Sequence, residues 1–319
     1  MNFLTLAWFG QNSVAKFVKT LLFSALWIFP GAVPLAIYGF TQDFENLNTQ
    51  TLVTGNASGL LLILVMLSSA TVLFGIIRQT IIQHDRDWIT LITPKQNIDW
   101  KKFALAMCLW GGIVLVSIIF EIISNPNTYQ FTFQPIPFFS LVGGILLMIP
   151  IQASSEELIF RGYILQQSAL VGRYVFIPII ISSLLFALMH SANPEVTAYG
   201  FSLAMTNYAL SGMIWGIATI MDDGLELAMG AHTGNNIIAF LLVTNKNAVL
   251  HTPALFTDIN PVESWQGVGE LTLAGIIFLF ILSRIYKWGS WSILWSKIIP
   301  PATSDTKPLS QSGILPEQA

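Results

Sequence analysis

Charge is scarce in this chain. Asp, Glu, Lys and Arg make up 10% of its 319 residues, against about 25% in an ordinary soluble domain. That scarcity excludes a conventional solvated surface. No basic excess is present either: 14 Lys and Arg face 17 Asp and Glu, a net charge of −3. The sequence therefore offers no electrostatic footprint for nucleic acid. Cysteine is limited to Cys108, which excludes an internal disulfide and a thiolate zinc site. Cys108 lies in an apolar run and reads as a buried packing residue. A clean signal-peptide pattern is missing too. The run at 20–40 follows Lys16 and Lys19, exceeds the length of a signal core and shows no small-residue cleavage site, so it reads as a retained span.

What the chain has instead is apolar length. Hydrophobic residues make up 54% of it, and about 20 apolar residues of helix cross a bilayer core. Eight stretches qualify, at about 20–40, 58–77, 103–124, 137–166, 174–190, 198–221, 224–244 and 268–288. The expected fold class is an all-α polytopic membrane helix bundle of about eight spans. It divides into N-terminal helices over 1–136, a polar-studded core over 137–245, an outer loop with the last helix over 246–299, and a Pro-, Ser-, Thr- and Gln-rich tail over 300–319 that reads as disordered. With both termini placed inside, the inner loops hold all Lys and Arg except Lys246, outside, and Arg161, within a span. This bias sets both ends in the cytoplasm. Tryptophans near span ends, Trp100, Trp110 and Trp288 among them, suit an interfacial belt. His84 and His251 fall in loops and read as solvated.

Ionisable groups inside spans cost about 2.5–3.5 kcal/mol each on insertion scales and are functional candidates by default. The fourth span carries "SEELIFR", residues 155–161; the fifth ends in "FALMH", residues 186–190; the seventh holds "HTGNN", residues 232–236. Glu157 and Arg161 are four apart and share a helix face, so they can pair. Glu156 points about 100° away and has no obvious local partner. His232 and Asn236 are also four apart. Counted from the inner ends at about 1.5 Å per residue, Glu156 lies roughly 15 Å deep, His232 roughly 12 Å, Asn236 roughly 18 Å and His190 roughly 21 Å. These groups can meet if the fourth span is long or tilted.

A carboxylate, two imidazoles and an amide converging in apolar surroundings suit hydrolysis. The carboxylate can take a proton from water, and N–H groups can meet a developing oxyanion. Two other readings stand beside this one. Two histidines and a glutamate can bind zinc, although no His-Glu-x-x-His helix is present. A polar intramembrane cavity can also bind an ion or peptide without cleaving anything, as in a transporter or immunity-type protein.

The ordered motifs Glu156-Glu157-Leu-Ile-Phe-Arg161, Phe186-Ala-Leu-Met-His190 and His232-Thr-Gly-Asn-Asn236 resemble the CAAX protease and bacteriocin-processing (CPBP, or Abi) family, over roughly residues 138–245. "DDGLELAMGAHTGNN", residues 222–236, looks like its bacterial members, which implies a bacterial cytoplasmic membrane. The family includes the CAAX prenyl endopeptidase, an intramembrane glutamic protease that uses no metal or cofactor. The resemblance implies that Glu156 and His190 polarise water, that His232 and Asn236 form an oxyanion hole, and that Glu157 and Arg161 orient the site. The implied partners are the lipid bilayer and a membrane-associated peptide or protein substrate reached from the cytoplasmic side. Prenylated tails, other lipidated or anchored peptides and bacteriocin-like precursors all remain open as substrates.

Overall fold

A computed structural model describes residues 3–41, 55–56 and 58–301. The chain is a helical bundle. Its helices are α1 (Val14–Ala25), α2 (Ile28–Thr41), α3 (Ser58–His84), α4 (Trp100–Ser124), α5 (Pro135–Glu157), α6 (Leu165–Ala169), α7 (Phe176–Met189), α8 (Pro194–Tyr199), α9 (Phe201–Asp222), α10 (Glu226–Leu242) and α11 (Trp265–Ile285). Short strands β1 (Tyr129–Phe131), β2 (Val243–Asn245) and β3 (Phe256–Asp258) form a small sheet in the order β1-β3-β2. The tail expected to be disordered lies, from residue 302 onward, outside the described residues.

Six helical segments among the described residues are long and apolar enough to cross a membrane: Val14–Phe40, Ser58–His84, Trp100–Ser124, Pro135–Ala169, Phe201–Asp222 and Trp265–Ile285. All eight expected segments are helical, but two are shorter than a span. The fifth becomes the 14-residue α7 and the seventh the 17-residue α10. The shortness of α10 has a physical reason. It carries Gly, His, Thr and Asn along its length and packs against α4, α5 and α9, so neighbouring helices rather than lipid surround its polar groups.

Local sequence explains the element ends. Ser13 accepts from the Lys16 backbone N–H and starts α1, as an N-cap should. The first span breaks between α1 and α2, just before Pro30, which cannot donate to the preceding turn and whose ring crowds it. Glycine lets α10 and α4 approach closely. A Cβ on Gly230 or Gly234 of α10 would lie 2.1 or 2.2 Å from a backbone oxygen of α4, that of Phe103 or Met107. Such small-residue contacts bring membrane helices together where the hydrophobic effect does not.

The surface is apolar and the interior is mixed. Val116, Phe120, Phe139, Leu188 and Phe280 point outward, whereas Glu157, Arg161, His232, Ser182 and Thr219 are buried. This arrangement suits a chain whose solvent over the spans is hydrocarbon. It also corrects two expectations. Cys108 is exposed, because an apolar environment for it exists outside the bundle as well as inside. Trp110 is buried, and its Nε1–H donates to Asn235 Oδ1 at 3.1 Å, so it does not belong to an interfacial belt.

The histidine expectations are corrected as well. His84 is fully buried, with its Nε2 at 2.8 Å from Tyr163 Oη and 3.1 Å from Thr20 Oγ1, and its Nδ1 at 2.9 Å from the Gln11 carbonyl. The segment before α1 folds over it and supplies the partners that solvent would otherwise provide. Arg86 next to it is also buried, donating to Gln166 Oε1 at 2.6 Å and to Thr90 Oγ1 at 2.9 Å. Burial pushes its guanidinium down to about 10. His251 is partly buried between the buried residues Leu250 and Thr252, the latter tied to the Phe240 carbonyl at 2.9 Å.

Candidate active site

The long fourth segment carries the first group of site residues. It runs without a break from Pro135 to Ala169, which is the length the depth estimate demands. Toward its C-terminal end, at Leu158–Ile164, it loosens into a π-helical turn. Such turns widen the backbone and are frequent at functional sites. Glu156 and Glu157 close the α-helical part just before this turn, and Arg161 lies within it.

The two glutamates occupy opposite environments. Glu157 and Arg161 have fully buried side chains, and Arg161 Nη1 donates to Glu157 Oε1 at 2.8 Å. The same Oε1 accepts from His232 Nδ1 at 2.8 Å. Arg161 is held further by the face of Phe186, 4.3 Å from its Cζ to the ring centre, a cation–π contact. Gly212 of α9 makes room for the guanidinium: a Cβ there would sit 3.0 Å from Nη2 and 2.9 Å from Ser183 Cα.

Glu156, in contrast, keeps 26% of its side chain exposed. Its Oε2 lies 3.7 Å from His232 Nε2 and 4.0 Å from His190 Nε2. These separations exceed a direct hydrogen bond and suit one bridging water. Its Oε1 accepts from Gln152 Nε2 at 2.5 Å, and Gln152 Oε1 accepts in turn from Asn236 Nδ2 at 3.1 Å. The local partner that the sequence reading did not find is therefore Gln152, one helical turn earlier. Its signal was the same four-residue spacing that pairs Glu157 with Arg161.

The histidine tautomers follow from their partners. His190 Nδ1 lies 2.8 Å from the Phe186 carbonyl, which can only accept, so Nδ1 carries the hydrogen. His232 Nδ1 likewise faces a carboxylate oxygen. In their neutral forms both rings turn an Nε2 lone pair toward Glu156. Three acceptors thus face one another, an arrangement completed by a shared proton or a water. The rings are fixed by packing: Tyr208 stacks on His190 at 4.3 Å, and Trp215 lies parallel to His232 at 6.4 Å.

Every residue singled out from the motifs therefore reaches one cluster, Asn236 through Gln152. Among the described residues, no group of three His, Cys, Asp or Glu side chains is arranged to hold a metal ion. Beside the cluster lies a cavity of about 370 Å³, lined by α8, the first half of α9, Asn235 and the start of α11 with the loop before it. These elements belong to the end of the bundle that carries the sheet.

Residues 135–238 match the family described as Rce1-like, Type II CAAX prenyl endopeptidase Rce1-like. Uncharacterized protein YyaK of Bacillus subtilis (strain 168) is 30% identical over 198 residues, which cover 60% of this chain and 66% of that protein. The chain thus spans just under two thirds of the length of this relative.

Proposed function

We propose that the chain, whose residues 135–238 match the Rce1-like family of CAAX prenyl endopeptidases, is an intramembrane glutamic endopeptidase that cleaves a membrane-associated peptide or protein. The observation that carries this reading is the split between the two adjacent glutamates. Glu157 is sealed by Arg161 and His232, while Glu156 is reachable and faces two imidazole nitrogens.

In this scheme a water sits between Glu156 Oε2 and the two Nε2 atoms. Glu156 takes a proton from it as the water oxygen bonds to the substrate carbonyl carbon. The carbonyl oxygen becomes an oxyanion. A protonated His232, its positive charge supported by Glu157, and the N–H of Asn236 not given to Gln152 donate to that oxyanion. The C–N bond then breaks as Glu156 returns the proton to the leaving amine. A new carboxylate and a new amine result. His190 orients the water, and its own orientation is fixed by the Phe186 carbonyl and Tyr208. Each step is accomplished by protein groups, in a site where low polarity strengthens their interactions.

The test compares termini across a membrane proteome in cells carrying wild type or Glu156→Gln at matched expression. Termini that appear only with wild type support proteolysis and begin to identify the substrate. Identical termini, in cells where both proteins rescue the same phenotype, would replace the enzyme reading with a binding one.

A further inference from the structure

The cavity beside the cluster has a chemistry that the hydrolytic scheme does not use. Its polar lining includes Glu195, Tyr199, Asn207, Tyr208, Asn235 and Glu263. Two of these are carboxylates, and among the described residues no Lys, Arg or His lines it. Along the whole stretch 191–272, which contains every lining residue, Lys246 is the sole Lys or Arg.

Both carboxylates are only partly paired, and their partners are neutral. Glu195 Oε1 accepts from the Tyr208 hydroxyl and, at 3.3 Å, from Asn193 Nδ2. Its Oε2 is buried with no hydrogen-bond partner in the protein. Glu263 Oε2 accepts from Asn207 Nδ2 at 3.1 Å. Burial pushes the Glu263 carboxyl up, and the Glu195 and Glu121 carboxylates push it the same way. A positive charge between Glu195 and Glu263 would relieve that repulsion.

The cavity also adjoins the reacting groups. Tyr208, which lines it, stacks on His190. Asn235, which also lines it, donates to Asn236 Oδ1 at 3.1 Å. A substrate whose scissile bond lies at Glu156 can therefore place a neighbouring side chain here. The volume, about 370 Å³, falls in the range of small ligand sites and has room for one long side chain.

We infer that this cavity is a specificity subsite that receives a cationic side chain, Lys or Arg, of the substrate near the scissile bond, with Glu195 and Glu263 as its counter-charges. The inference rests on the endopeptidase reading for its meaning, but its binding claim can be tested separately.

The experiment uses the full chain in liposomes and a pair of membrane-anchored peptides that differ only in Lys against norleucine, with the residue scanned through the positions flanking each candidate bond. Binding is measured first, on Glu156→Gln. At one position the Lys peptide binds at least tenfold tighter than its norleucine twin, and Glu263→Gln added to Glu156→Gln reduces that ratio toward one. Charge reversal, Glu263→Lys, favours a Glu peptide instead. Cleavage by the proteins with Glu156 intact follows the same ratios in kcat/KM. Equal binding of the Lys and norleucine peptides at every position, or a Lys preference that survives both Glu263 variants, overturns the subsite. Charge-selective binding with no cleavage by wild type keeps the subsite and defeats the endopeptidase reading. Cleavage without charge selection does the reverse.

Discussion

Glu156 and Glu157 are neighbours in sequence and opposites in structure. One is partly open, held by an amide and faced by two imidazole nitrogens; the other is sealed beneath an arginine and a histidine. A single step of about 100° around a helix separates the carboxylate that the proposed scheme uses from the one that supports it. The comparison teaches that the sealed pair is not a spare copy of the open one. Glu157 holds His232 through Nδ1 and so orients the Nε2 that faces Glu156, while Arg161 anchors Glu157. A buried charge needs such a partner, and a reactive one needs to be reachable.

The largest effect that would break this comparison is expected on the open side. His190→Ala removes one of the two nitrogens facing Glu156 and should lower the cleavage rate by about 10²–10⁴-fold, the usual contribution of a positioned acid–base group. Its melting temperature should stay near that of wild type. A variant with wild-type turnover would remove His190 from the mechanism.

On the sealed side the expected loss is first one of stability. Arg161→Ala leaves Glu157 buried beside His232 alone and should cost about 3–5 kcal/mol, as breaking a buried pair does. The double change Glu157→Gln with Arg161→Met should regain much of that stability, read as thermal unfolding in detergent, without regaining activity, because His232 then lacks its carboxylate. Full activity in the double variant would show that Glu157 only packs.

A smaller effect is expected at the amide between the two sides. Gln152→Ala deletes a hydrogen bond to a carboxylate, worth about 1.5–3 kcal/mol, and should slow cleavage by about 10- to 100-fold on the same principle. Gln152→Glu should be at least as damaging, since it sets a second carboxylate against Glu156. Smallest for catalysis is His84→Ala, at a residue that contacts Tyr163 in the π-helical turn but none of Glu156, His190 and His232. It strips partners from Tyr163 and Thr20 and should lower stability by about 1–3 kcal/mol, with turnover per folded molecule preserved. A drop in turnover without loss of stability would tie that buried polar cluster to the site.

Much of this was legible in the sequence because membrane spans and motif spacing both leave plain marks. Apolar length located the helices, and four-residue spacing paired Glu157 with Arg161 before any coordinates. Other features left no such mark. The π-helical turn at Leu158–Ile164 obeys no side-chain periodicity. Gln152 did carry the four-residue spacing to Glu156, but a neutral amide leaves a weaker mark than a charged pair. α4 is apolar on every side, so nothing in its pattern showed that Trp110 turns inward while Cys108 turns outward. His84 sat among loop charges, and only the tertiary fold reveals the segment that covers it. α10 is short and polar yet lies inside the bundle because α4, α5 and α9 shield its polar groups, a fact about neighbours and not about its own residues.

The most direct test of the account sets Glu156→Gln and Glu157→Gln side by side as purified full-length proteins in the same lipid, measuring cleavage of one anchored peptide and thermal unfolding of each. The account predicts that Glu156→Gln unfolds at the wild-type temperature and does not cleave, while Glu157→Gln unfolds at a clearly lower temperature. Retained cleavage by Glu156→Gln, or equal loss of stability in both, would contradict the division of labour between the two glutamates.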